Sequence, residues 1–207
     1  RSLSSAASDV YKRQSSIRIE KMDAMTNLLT RNSPRELTTP VPSKDEMHEI
    51  YQAALRAPDH AWLRPSRFIE VTGAGLDKLS KIFTEFAMNE LQDVTPLQIE
   101  KYKAAPYRAP MIIILATQVT EHPKVPKVEQ MLSTATAAEN ILLALHAKNY
   151  AGIWRTGKFS FNQKIAKYFN LTSDHEVIGY LYVGTPSGTN KKIPQLDVDK
   201  FVTHWKE

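Results

Sequence analysis

KVPKVEQMLSTATAAENILLALHAKN, residues 124–149, runs directly into YAGIWRTG, residues 150–157. The first part predicts a long helix over about 125–149. Its middle, Ser133–Ala138, is small and largely uncharged nearly all round. Such a helix is usually buried, and its small residues let another backbone or a flat ligand come close. The second part reads as a short strand leaving a turn. Trp154 lies between Gly152 and Gly157 with Arg155 beside it, which puts a flat surface and a charge where the backbone has room for a ligand. Trp154 as an ordinary core anchor is the alternative.

Outward from this pair, the neighbouring segments supply a sheet. PMIIILAT, 110–117, is continuously apolar and β-rich, as in a strand buried on both faces. VIGYLYVGTP, 177–186, reads as a second core strand, and RFIEVTG, 67–73, as an alternating one. Helices are expected over 21–30, over 75–91, over 95–103 and over Phe159–Phe169. Another starts at Ser43, where Glu46 completes a capping box, and stops before Pro58. FVTHW, 201–205, is expected to be a further short strand, exchanged with another copy. The order implies one α+β domain, three-layer α/β/α around a single sheet, over residues 22–207.

Composition excludes several functions. At 207 residues with 42% hydrophobic and 24% charged side chains, the chain is that of an ordinary globular protein. The longest apolar run, Met111–Ala116, is far short of the roughly 20 residues that span a bilayer. There is no cysteine, so disulfides, thiol nucleophiles and cysteine zinc sites are ruled out; a reducing cytoplasm fits this and is the expected compartment. The net charge is +5, and +3 of it lies in residues 1–21, where five cations face two acids. The rest is nearly neutral and has no basic block with interleaved aromatics, which argues against nucleic acid. RSLSSAASDVYKRQSS has no apolar period and is read as a disordered extension or a cloning or assembly remnant, with a native start at or near Met22.

Chemistry is narrowed in the same way. No GxGxxG, GxxxxGK[ST] or GxSxG is present, and the six histidines show no HExxH or HxH spacing, so no metal is expected. RNSPR places Arg31 and Arg35 around Ser33 in a turn. Guanidinium groups with a hydroxyl suit a phosphate, and an exposed basic turn is the plainer reading. RAPDHAWLRPSRF, 56–68, concentrates Arg56, Asp59 and His60 just after a helix. There Arg56 pairing with a helix carboxylate, or Asp59 holding the turn, is the plainer reading.

Taken in order, RNS, RAPDH, YRAP, KVPKVEQ, GIWRTG and GYLYVGTP resemble the nitroreductase family, and within it the small NAD(P)H nitroreductases, over roughly residues 22–205. The resemblance implies a mixed, mainly antiparallel sheet wrapped by helices, with the long helix at the centre of a homodimer whose two active sites are shared. It implies FMN as cofactor and NADH or NADPH as reductant. By motif, Arg31, Asn32 and Ser33 would hold the FMN phosphate and ribityl region, and Arg56 and His60 would reach the flavin of the partner subunit. Trp154, Arg155 and Thr156 would line the isoalloxazine, with Arg56 and Arg155 as stabilisers of the flavin anion. Ala144, Leu145, His146, Ala147, Lys148 and Asn149 are associated with the nicotinamide nucleotide. The implied reaction is ping-pong hydride transfer to nitroaromatic, quinone or enone acceptors. Flavin breakdown, dehalogenation, or flavin binding without catalysis are the alternatives on the same fold. Three departures stand out: Asn32 where the family has a second arginine (with Arg35 as a possible substitute), Arg64 and Ser66 where it often has Gln and Trp, and only Lys206 near the end where larger relatives carry a basic pair.

Overall fold

A computed structural model describes residues 22–189 and 191–205. The leading tail 1–21 and Lys206 lie outside the described residues. In chain order the elements are α1 (Ala24–Thr30), β1 (Leu37–Thr38), α2 (Lys44–Ala54), β2 (Ser66–Thr72), α3 (Ala74–Glu90), α4 (Pro96–Ala104), β3 (Met111–Gln118), α5 (Lys127–Ala147), β4 (Ala151–Arg155), α6 (Gln163–Tyr168) and β5 (His175–Pro186).

Strand β3 shows why the architecture has three layers. It is sandwiched between β2 and β5, antiparallel to both. Met111, Ile113 and Leu115 face one side and pack with Met47 and Ile50 of α2 and Ile141, Leu142 and Leu145 of α5. Ile112 and Ile114 face the other side, against Leu79, Phe83 and Phe86 of α3. With helices on both faces, every side chain from Met111 to Ala116 is apolar, so the run carries no alternation. Strand β5 is filled on its other edge first by β4 and then by the two residues of β1. All observed pairings are antiparallel; the parallel component of the expected mixed sheet is absent among the described residues. A bulge shifts the register between Leu115 and Ala116, opposite Gly179 and Val177.

The capping box forms as expected: Ser43 N–H donates to Glu46 Oε2 at 2.8 Å, and Glu46 N–H donates to Ser43 Oγ at 3.3 Å. Other expectations need correction. The apolar stripe of α1 points outward: Met25, Leu28 and Leu29 are exposed and the helix buries no residue. The helix expected over Phe159–Phe169 shrinks to Gln163–Tyr168, because Phe161 adopts a left-handed backbone (φ 57°) and Asn162 caps afresh at Lys164 N–H, 3.0 Å away. Phe201–Trp205 forms no strand among the described residues, and Trp205 is fully exposed. An isolated segment has no ladder to join.

Candidate active site

Three groups of the expected residues take shape, and helix α5 organises two of them. Just past α1, the Arg31 guanidinium meets Glu139 of α5 (Nε–Oε1 3.2 Å) and donates to Ser33 Oγ at 3.2 Å. Asn32 Nδ2 donates to the Lys191 carbonyl at 2.7 Å, and Lys191 Nζ donates to the Ser33 carbonyl. The departure at Asn32 therefore brings a different cation. Lys191 stands beside Ser33, while Arg35 is exposed on the turn. No local pattern tied Lys191 to Ser33, since the two are joined only by the fold.

Turn-distant His146 completes this corner. Thr30 Oγ1 donates to its own helix at Thr26 O (2.6 Å) and lies 3.0 Å from His146 Nε2. A hydroxyl has one proton, so Nε2 carries the hydrogen and donates to Thr30. Burial, and then the Arg31 guanidinium, hold the His146 pKa below its ordinary value. Of the remaining residues tied to the nucleotide, Leu145 is fully buried in the core and Lys148 pairs with Glu49 at 2.6 Å. Asn149 takes a left-handed backbone (φ 63°) in the turn that starts β4. Ala144 is half-buried and Ala147 exposed.

The second group is the loop after α2. His60 Nδ1 donates to Glu129 Oε2 of α5 at 2.6 Å. Asp59 accepts from Arg64 N–H at 2.8 Å and so does hold its own turn. Arg56 is exposed and, among the described residues, has no ion pair. Ala61, Trp62 and Arg64 all lie at positive φ (58°, 55° and 53°), a strained run for side chains with a Cβ. Trp62 is 78% exposed, and Arg64 sits over its ring at 5.6 Å. Glu129 and Glu139 are ten residues apart, about 15 Å along the helix, so α5 braces the loop at one end and Arg31 further along.

The third group lies on β4 and the turn after it. Trp154 packs against the bare backbone of Gly179, where a Cβ would fall 1.9 Å from its Nε1, and it also lines the cleft beside this strand. Gly152 likewise admits Leu142 of α5, whose Cδ2 lies 2.6 Å from where a Cβ would be, so its small size serves packing. Arg155 lies over the Tyr182 ring at 5.4 Å. Trp154 Nε1 and Arg155 Nε are buried with no hydrogen-bond partner. Arg155, Thr156 and Gly157 line a cleft of about 450 Å³. None of Arg31, Asn32, Ser33, Arg56 or His60 lines it, and the shallower cleft at His60 includes neither Arg31 nor Trp154.

The donor set of the first group fits FMN. Arg31, the Ser33 hydroxyl and the Lys191 ammonium offer N–H and O–H donors around one turn, and Glu139 is the carboxylate paired with Arg31. Such a set suits a phosphate. No helix is long and apolar enough to cross a membrane among the described residues.

Comparison with known proteins gives the family. The sequence model of the Nitroreductase family matches residues 28–185. The "Putative NAD(P)H nitroreductase YdjA" of Escherichia coli K12 is 32% identical over 187 residues, which is 89% of this chain and the full length of that relative. The crystal structure of a nitroreductase-like family protein from Bacillus cereus superposes with a TM-score of 0.74 at 17% identity, over 88% of this chain and 96% of that one. The NADPH:FMN oxidoreductase from Vibrio harveyi, complexed with NAD+, has a TM-score of 0.66 at 17% identity, over 88% of this chain and 78% of that one. On the match to residues 28–185 and the full-length relative, this chain belongs to the nitroreductase family.

Proposed function

We propose that the protein is an NAD(P)H-dependent FMN oxidoreductase that works as a homodimer and reduces nitroaromatic, quinone or enone acceptors in ping-pong turnover. The observation that carries the reading is the cluster of Arg31, Ser33 and Lys191 donors around one turn. Arg31 and Ser33 hold the phosphate, with Lys191 supplying the second charge that Asn32 lacks. Thr156 and Gly157 are exposed and line the cleft beside β4. Arg155 sets a fixed positive charge there, which stabilises negative charge developing on a reduced ring. The chemistry that bound FMN supplies is transfer of two electrons, received as hydride from the nicotinamide and passed to the oxidant.

Two subunits are needed because the groups that would contact one flavin do not line one cleft of a single chain. Arg56 and His60 serve the flavin of the partner. The apolar surface left open supports the pairing: Met25, Leu28 and Leu29 on α1, Val128 and Leu132 on α5, and Phe201 and Trp205 on the C-terminal arm are all exposed. Large apolar side chains left exposed on three elements are what a subunit interface covers. The NAD(P)H nitroreductase name of the full-length relative supports the same reductant.

Anaerobic mixing of the FMN-loaded protein with NADH or NADPH tests the reading. Loss of the oxidised flavin absorbance, restored by an acceptor, is expected. A protein that takes up no FMN, or whose bound flavin neither nucleotide bleaches, overturns it. A monomer that retains FMN fully contradicts the shared site.

A further inference from the structure

The cleft beside β4 shares Arg155, Thr156 and Gly157 with the flavin reading, and the rest of its lining is unused by it. Its floor is aromatic. Phe83 and Phe159 stack at 4.0 Å, Tyr102 meets Phe159 edge-on at 5.0 Å, and Tyr180 meets Phe83 edge-on at 5.3 Å. Its charged lining residues are Lys101, Arg108, Arg155 and Lys158, and no aspartate or glutamate lines it.

Neighbouring cations are neutralised and these four are not. Lys103 pairs with Glu100 at 3.9 Å and Lys164 with Glu90 at 2.6 Å. Among the described residues, Lys101, Arg108, Arg155 and Lys158 have no carboxylate within 4 Å. Arg155 also leaves its buried Nε without a partner. Arg108 and Arg155 both act on Tyr182, whose pKa burial raises and the two guanidiniums pull back. Arg155 lies over the Tyr182 ring at 5.4 Å and Arg108 lines the same cleft. Four like charges around a low-dielectric floor repel one another, and an anion relieves that repulsion. A flat ring suits the floor, since aromatic pairs stack or meet edge-on at such spacings.

We propose that this cleft binds a planar aromatic acid, its ring on the Tyr102–Phe159 floor and its carboxylate held by Lys101, Arg108 and Lys158, with Arg155 left to the flavin, and that this class supplies the oxidant. The role as oxidant rests on the flavin reading above, because Thr156 and Gly157 form one wall of the cleft. For a nitroaromatic acid the balance is ArNO2 + NAD(P)H + H+ giving ArNO + NAD(P)+ + H2O. The hydride and a solvent proton leave as water with one nitro oxygen.

Calorimetric titration of the FMN-loaded protein with 4-nitrobenzoate and with the neutral 4-nitrobenzamide tests it. The acid binds at least tenfold more tightly, and added NaCl erodes the difference. In Lys101→Ala/Lys158→Ala, two exposed side chains, the preference falls below threefold, while melting temperature, FMN content and affinity for the amide stay unchanged. Equal affinity for the two ligands, or a preference the double variant keeps, overturns the proposal. So does a variant that instead loses affinity for NADPH relative to NADH, which would assign the cations to a nucleotide phosphate. Binding is read without turnover, so failure to take up FMN sinks the reductase reading while this site stands or falls on its own titration.

Discussion

The indole of Trp154 lies against the bare backbone of Gly179, so close that a Cβ would fall 1.9 Å from Nε1 and 2.7 Å from Cδ1. Gly179 sits where the register of β3 and β5 shifts, and the bulge gives the ring its space. Gly179→Ala should therefore destabilise the protein by about 1–3 kcal/mol, the usual cost of overpacking. Trp154→Leu in that background should recover part of the loss, because the two sites share one volume. Chemical denaturation of the single and double variants checks this. Additive losses would mean that the contact does not govern the position of β4.

The loop at Ala61, Trp62 and Arg64 stores strain that can be released one residue at a time. Ala61 has φ 58°, which glycine adopts freely. Ala61→Gly should raise stability by about 0.5–1 kcal/mol. If the strained loop also serves to aim Trp62 and Arg64, the same variant should raise KM for the acceptor with little change in FMN content. A stability gain with unchanged kinetics would show that the strain has no bearing on substrate.

Local rules made most of the fold legible. The β3 run, the Ser43–Glu46 box and the small-residue helix each depend on neighbours in sequence, and each formed where expected. The direction of an apolar stripe is not local: α1 has helical spacing, but its stripe faces out because no element among the described residues covers it. The site divides the same way. RNS and GIWRTG stand out as short patterns, whereas Lys191 reaches Ser33, and Lys101 joins Lys158, only through tertiary folding. Single lysines on a short helix that buries no residue, such as α4, look like solvated surface until the opposite wall is in place.

Arg31 and Glu139 make opposite predictions for FMN. Arg31→Ala removes a charge-assisted donor and should weaken FMN binding by about 1.5–3 kcal/mol. Glu139→Gln removes the carboxylate that pairs with Arg31 at 3.2 Å and should tighten binding. That gain is smaller, about 0.3–1 kcal/mol, because Glu139 is half exposed and screened. Fluorescence titration of the apoprotein with FMN reads both. Unchanged affinity in Arg31→Ala would remove the phosphate from this turn.

His146 links the same corner to pH. Its pKa is held down in the folded protein, first by burial and then by Arg31, while the unfolded chain titrates near 6.5. The unfolded state therefore binds more protons as pH falls through that value, and stability must fall with it. Above about pH 7.5 the imidazole is neutral in both states and contributes no slope. Between pH 7.5 and 5.5 the apoprotein should lose stability, and His146→Gln, which keeps a donor for Thr30, should lose less. With the FMN phosphate beside Arg31 as proposed, the guanidinium field would be offset and His146 would accept its proton more readily. The pH slope of the FMN-loaded protein should thus be shallower than that of the apoprotein. Denaturation midpoints across this range, with and without FMN, decide the point; equal slopes for all three would show that His146 does not feel the charge at Arg31.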